Sequence, residues 1–439
     1  MADIVPFRGV RYAATAEESA HPADLAKVLA PPYDVISAAE QAELYEKDPH
    51  NVVRLILGRE ADKYTRAASL YKDWTDEGVL VSDETPSIYV YHQSFSDPVT
   101  GEPCPDRVGL ICLLKLEDYS TGKVLPHENT LTAAKADRLD LLKATNAQFE
   151  SIYGLYSDPD NAVRSFLGEF DDRAPIIERV EGLIGSSHRI ERVDSPDGIA
   201  AIQELLRDKP IFIADGHHRY ETSLNYSREV RAAQGDPSHP IAADYILITL
   251  TAFEDEGLLV LPTHRLVNNV DPALIESLPA KLAQNFEVES LAPNELEAAI
   301  TSQQKKGRKA IGVVLPDNKG LLATLKVSED EIPSLIPGPN APATKKLDVS
   351  VLHHLILRDL FGISLESLAA GGQVRYTRIT REAIDAVSSG TAQLSFLLGR
   401  PSVTDVRDVS LAGDKMPQKS TYFYPKLLSG LIMRDLTLD

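Results

Sequence analysis

Cysteine is nearly missing: the 439-residue chain carries two, Cys104 and Cys112. That excludes a small secreted scaffold built on disulfides. Neither cysteine has a second Cys or a His at zinc-ligand spacing, so no cysteine-based zinc site is expected. Cys112 lies in the apolar run 108–116 and reads as core, whereas Cys104 sits near prolines in a loop. Long apolar runs are also missing. Nothing approaches the ~18 residues that a membrane span needs, and Met1–Val10 has no apolar signal region. A cytoplasmic protein with no membrane partner is the expectation. Positive charge is scarce: 45 Lys and Arg against 65 Asp and Glu give a net charge of -20. Such a surface repels phosphate backbones, and no nucleic-acid partner is expected. Lys305, Lys306, Arg308 and Lys309 form the densest basic cluster, between a helical and a strand-like segment, and read as a solvated turn.

What is present is ordinary globular material, 43% hydrophobic and 25% charged. At roughly 100–200 residues per domain, the length implies two to four domains or subdomains. The periodicities mix. Strand-like runs are expected at 51–58, 87–95, 107–116, 151–156, 187–193, 210–214, 245–251, 258–261, 310–315 and 321–327. Helical spacing is expected at 62–78, 131–147, 161–170, 196–207, 220–234, 271–285 and 293–305. A Pro-rich stretch, 336–346, reads as a linker. The fold class is α+β (mixed α/β). Residues 1–95 are expected as an N-terminal α/β segment, 96–265 as the catalytic core, 266–345 as a small α/β subdomain, and 346–439 as a C-terminal segment that contributes to the active site.

One constellation concentrates the chemistry. The strand 210–214 delivers the chain into Asp215-Gly216-His217-His218-Arg219, and a helix follows. Gly216 permits a sharp bend and close approach to a ligand. The helix's first amides favour an anion. Arg219 can clamp phosphate or carboxylate, Asp215 can hold a cation or orient a hydroxyl, and His217 and His218 can donate to phosphate or move protons. A purely structural account, in which these side chains only cap the helix, is weakened by five polar or flexible residues meeting at one strand end. Upstream, His127-Glu128 precedes a helix carrying Lys135, Asp137 and Arg138. Glu128 is a candidate general base; a helix-terminal carboxylate is the plainer account. Downstream, Thr263-His264-Arg265 ends a strand, and 416–426 places Lys419, Ser420 and Thr421 in series, without the glycines of a P-loop.

The pair of motifs, PHE and then strand-DGHHR-helix, resembles the ParB/sulfiredoxin-like superfamily, and within it the free-serine kinases. Over nearly its whole length the chain looks like a member of the bacterial domain-of-unknown-function 1015 family. APPYDVIS (30–37), HNVVRLILG (50–58), HENT (127–130), KADR (135–138), ADGHHRYET (214–222), LPTHR (261–265) and MPQKSTYFYPK (416–426) carry that likeness. The resemblance implies a ParB/sulfiredoxin-like core and a kinase that phosphorylates free L-serine to O-phosphoserine. It leaves the donor open among ATP, ADP and pyrophosphate, with Mg²⁺ expected.

On that reading Glu128, Asp215 and His217 are catalytic, and Asp215 also meets the metal. His127, Lys135, Arg138, Gly216, His218, Arg219, Thr263, His264, Arg265, Lys419, Ser420 and Thr421 are expected to bind phosphate or substrate. A homodimer is possible. Two other readings stand beside it: a ParB-like nucleotide-binding regulator, against which the missing basic stripe counts, and a hydrolase of phosphate esters or nucleotides using the same pocket.

Overall fold

Arg107–Lys115 is a nearly continuous apolar run, buried along almost its whole length, and it becomes the centre of a sheet. It pairs antiparallel with Ile88–Phe95, Gln93 lying opposite Arg107 and Tyr89 opposite Ile111. On its other side it pairs antiparallel with Tyr245–Ala252. The structure is a computed structural model that describes residues 3–20, 22–130, 132–168, 175–183, 185–364, 367–368, 372–417 and 419–438. Leu131 and Phe170, expected in helices, and Gln418 lie outside the described residues. The chain divides into two compact units, Met1–Leu258 with Pro425–Asp439, and Leu259–Tyr424.

The first unit is built on a nine-stranded mixed sheet. Its order is Val124–Leu125, Ile211–Asp215, Ile152–Tyr156, Tyr245–Ala252, Arg107–Lys115, Ile88–Phe95, Ser186–Val193 and Ile177–Leu183, with Ile4–Val5 also on Arg107–Lys115. Two pairings are parallel, Ile211–Asp215 with Val124–Leu125 and Tyr245–Ala252 with Ile152–Tyr156. Leu110, Cys112, Leu114, Ile152, Ile213 and Ile248 are buried together, each such aliphatic side chain contributing about 1.5–3 kcal/mol. Cys112 is core, as its apolar run implies. A four-stranded sheet joins Gly9–Tyr12 to Leu80–Ser82 and Met433–Asp435, with Ala147–Gln148 at its edge.

Most expected elements form within a few residues of their sequence bounds, and three differences matter. The run 51–58 is not a strand but a single helical turn, Val53–Ile56. Asn51 starts it: its Oδ1 accepts from Val53 N (2.9 Å), while its Nδ2 donates to Lys27 O (2.6 Å). A short apolar run has no periodicity that separates strand from buried helix; here the Asn side chain decides. The helix expected from Tyr220 begins earlier, as His217–Ala233. Finally, His264 and Arg265 do not end a strand but open the next one, His264–Val267.

The second unit holds a six-stranded antiparallel sheet ordered Phe286–Leu291, Lys319–Leu325, Ala310–Leu315, Leu394–Leu397, His264–Val267 and Val374–Thr377. Helices Leu296–Lys305 and Thr380–Ser388 cover it through Leu296, Ile300 and Ala383. The Pro-rich 336–346 stretch does not run free: it carries the short helix Pro342–Lys345, and Asp414 Oδ2 accepts from Ala341 N and Thr344 Oγ1, both at 2.7 Å. Among the described residues no helix is long and apolar enough to cross a membrane.

Candidate active site around Asp215

The strand Ile211–Asp215 slips register against Ile152–Tyr156 between Ile213 and Asp215. That irregularity turns the chain into Gly216, whose φ of 90° lies in the left-handed region. A Cβ there would meet Ile152 Cγ2 at 2.7 Å, so glycine is needed both for the turn and for the close approach. His217, His218 and Arg219 form the first turn of the helix that follows. Its free amides and dipole make this end favourable to anions.

Asp215 is a partly buried carboxylate with two partners. Oδ1 accepts from Gly216 N (3.0 Å), and Oδ2 accepts from Lys426 Nζ (2.8 Å). Burial by itself would raise its pKa, but the opposing charges of Lys426 and Arg219 outweigh burial and hold the group well below the usual carboxylate range. Arg219 Nη1 donates to Ser151 O (2.8 Å), fixing the guanidinium beside the strand end.

His127 and His217 pack edge to face with ring centres 4.6 Å apart. His127 N donates to His217 Nε2 (3.2 Å), which makes that nitrogen an acceptor and leaves any single ring proton of His217 on Nδ1. His127 Nδ1 lies 2.6 Å from Ile213 O, a donor position that turns its Nε2 towards Glu128 Oε1, 4.0 Å away. Burial lowers the His127 pKa to about 4, so the ring is neutral near pH 7 and acts as a rigid spacer between the strand end and Glu128. The Glu128 side chain remains 26% exposed, reachable by a substrate.

A second ring of residues closes around this core. Tyr33 N donates to Glu150 Oε1 (3.0 Å), to which Ser429 Oγ also donates (2.8 Å). The Arg138 guanidinium stacks 3.9 Å above the Tyr33 ring and donates to Ile56 O (2.9 Å). Asp34 is exposed as a residue, but desolvation of its carboxyl and then repulsion from Asp215 raise its pKa. Lys426 is itself held in place. Arg107 donates to Gln93 Oε1 (2.9 Å) and to Pro425 O (2.5 Å), and Gln93 Nε2 reaches Lys426 O (3.4 Å). Lys135 Nζ pairs with Glu221 Oε2 (2.9 Å), tying its helix to His217–Ala233.

The structure therefore gathers His127, Glu128, Arg138, Asp215, Gly216, His217 and Arg219 within the first unit, with His218 on the same helical turn and Lys135 on the helix beside it. Thr263, His264, Arg265, Lys419, Ser420 and Thr421 belong to the second unit. There Arg265 is 2% exposed and donates to Thr263 O and to Lys419 O (3.2 Å), and His264 lies 3.2 Å from Thr380 Oγ1. The tail lysine that meets Asp215 is Lys426. Tyr33, Asp34, Arg107, Glu150 and Lys426 do not stand out in the sequence. Tyr33, Asp34 and Lys426 lie inside the motifs 30–37 and 416–426, but nothing in those motifs says what they face.

Residues 4–350 match the family described as "Protein of unknown function (DUF1015)". The chain belongs to this family. No protein of curated function matches the sequence. Among solved structures, a conserved hypothetical protein from Pyrococcus furiosus is 14% identical at a TM-score of 0.33, over 70% of this chain and 89% of that one. A free serine kinase in complex with AMP is 12% identical at a TM-score of 0.34, over 69% and 83%. SbnI from Staphylococcus aureus, C-terminally truncated, is 11% identical at a TM-score of 0.33, over 73% and 85%. Likenesses this distant bear on neither the substrate nor the reaction of this DUF1015 protein.

Proposed function

We propose that this DUF1015 protein transfers a phosphoryl group to the hydroxyl of free L-serine, giving O-phosphoserine, with ATP, ADP or pyrophosphate as donor. The observation that carries the reading is the seat of Asp215: a carboxylate kept ionised by Lys426 at 2.8 Å, at the start of a helix whose first turn holds two histidines and an arginine. Phosphoryl transfer needs positioning and neutralisation of charge more than covalent help, and this arrangement supplies both.

In the proposed step, Glu128 accepts the proton of the serine hydroxyl as the new O–P bond forms. The bridging P–O bond of the donor breaks, and its electrons leave with the departing phosphate or nucleotide. His217, His218 and Arg219 hold the transferred group against the helix terminus, and Lys426 offsets the developing negative charge. Arg138 and Lys135 are assigned to the remaining anionic groups of donor or serine. Asp34 and Asp215 are two acidic groups close enough to repel. Such a donor set suits one Mg²⁺ whose other ligands are water and donor phosphate; bound there, the ion would neutralise phosphate charge.

The deciding experiment offers L-serine and Mg²⁺ with each donor separately and measures O-phosphoserine for wild type and Glu128→Gln. Product from one donor, lost in the variant, is expected. Phosphate release without serine would mark a hydrolase instead, and no product from any donor would remove the kinase reading.

A further inference from the structure

The second unit contains a cavity of about 400 Å³, lined by none of the residues that surround Asp215. One wall is acidic. Lys309 Nζ lies 3.3 Å from Asp348 Oδ1, and Asp405 and Glu329 also act on that ammonium, so Lys309 faces three carboxylates. The pair is shielded, the Lys309 and Asp348 side chains being 21% and 12% exposed. Asp348 Oδ1 is buried without a well-directed hydrogen bond, and Gln304 Nε2 reaches Oδ2 only at 3.3 Å. Asp405 is committed elsewhere through Oδ2, which accepts from Ser402 N (3.0 Å). Burial opposes the charge on both Asp348 and Asp405 and raises their pKa; a ligand cation at this wall would relieve that cost. The rest of the lining includes Lys305, Arg308 and Arg400, all cationic. Among the described residues, no group of three or more His, Cys, Asp and Glu could hold a metal ion.

A cavity with an under-neutralised acidic wall and cationic side chains elsewhere in its lining selects a molecule carrying both charges. We propose that this cavity binds a small zwitterion of the amino-acid class, its ammonium at Asp348 and Glu329 and its acidic group at Lys305, Arg308 and Arg400. The volume accommodates a free amino acid or a phosphorylated one. The site lies outside the region proposed for catalysis, and its occupancy does not depend on that reaction.

Met416 lines the cavity, whereas Met433 belongs to the first unit. The two methyl groups are therefore an internal probe and control. The full chain, labelled at methionine methyls, is titrated with the standard L-amino acids and with O-phospho-L-serine, alongside amines and carboxylic acids lacking the second charge. At least one zwitterion is expected to shift the Met416 methyl saturably with Met433 unmoved, and its one-charge analogues to bind about tenfold or more weakly. Asp348→Asn and, separately, Glu329→Gln should each weaken that binding by about tenfold, whereas Glu128→Gln should not. A saturable free amino acid or phospho-amino acid response identifies the source. No Met416 response to any zwitterion, or a response unchanged in both Asp348→Asn and Glu329→Gln, overturns the proposal.

Discussion

Lys426 Nζ lies 2.8 Å from Asp215 Oδ2 across a sequence separation of 211 residues. The contact joins the last segment of the chain to the strand–helix turn, and both partners are substantially shielded, with side chains 11% and 23% exposed. Lys426→Met should therefore leave a shielded carboxylate without its directly bonded cation, Arg219 remaining as the other opposing charge. We expect a stability loss of about 3 kcal/mol and a fall in O-phosphoserine formation of about 100-fold or more. Lys426→Arg should recover part of both. Urea denaturation and steady-state kinetics on the two variants check this; full activity in Lys426→Met would remove the lysine from the mechanism.

Gly216 is irreplaceable for two separate reasons, its φ of 90° and the 2.7 Å that would separate an added Cβ from Ile152 Cγ2. Gly216→Ala should cost about 2–4 kcal/mol. Because this turn aims Asp215 and His217, activity should fall further than the folded fraction does. A variant as stable as wild type would contradict the packing argument.

Arg107 touches no group assigned to the chemistry, yet it anchors the segment carrying Lys426 through Gln93 Oε1 and Pro425 O. Arg107→Met keeps bulk and removes the donors. The turnover rate should drop about tenfold, comparable to loss of one or two hydrogen bonds to a charged donor, while the KM for the donor changes less. A loss of stability alone, with native turnover in the folded fraction, would make Arg107 structural only.

Asp34 is solvent-exposed, and Asp215 repels its charge. Removing its charge in Asp34→Asn should change stability little, because solvent screens the repulsion at an exposed residue, and still reduce activity. Thermal unfolding and kinetics test the two outcomes independently. Lower stability with unchanged activity would reverse the assignment.

In the second unit, burial lowers the pKa of His264 and His353 to about 3. In the unfolded chain a histidine titrates near ~6.5. Each folded-state pKa is depressed, so the neutral rings are fully compatible with folding above about pH 6.5, and stability is lost as pH falls from there towards about pH 3. The unfolded chain binds protons that the folded one refuses, at about 1 kcal/mol per pH unit for each histidine. Urea midpoints measured downward from neutral pH should decline over that window, and His264→Gln should flatten the slope. A stability flat over the acid limb would contradict it.

The sequence alone suffices for what depends on local spacing. β-branched, aromatic and apolar runs at 88–95 and 107–115, separated by turn formers, specify paired strands, and Cys112 in the middle of the second specifies core. PIFIA before DGHHR specifies a strand entering a glycine turn and a helix, because only glycine adopts that φ without strain. His127, Glu128 and Arg219 are legible as candidates because polar residues of these types at strand ends have few structural uses. The 51–58 run is not legible, because an apolar stretch of that length suits either a strand or a buried helical turn, and the choice rests on hydrogen bonds from Asn51 to residues more than twenty positions away. Tertiary structure alone decided which charges face each other. That Lys426 neutralises Asp215 and that Arg107 secures the C-terminal segment follow from the chain's return to the first unit at Pro425, and Asp34 adds a second carboxylate from the N-terminal part of the same unit. Electrostatic pairing depends on distance through space, and residues 211 positions apart leave no local pattern from which that distance could be read.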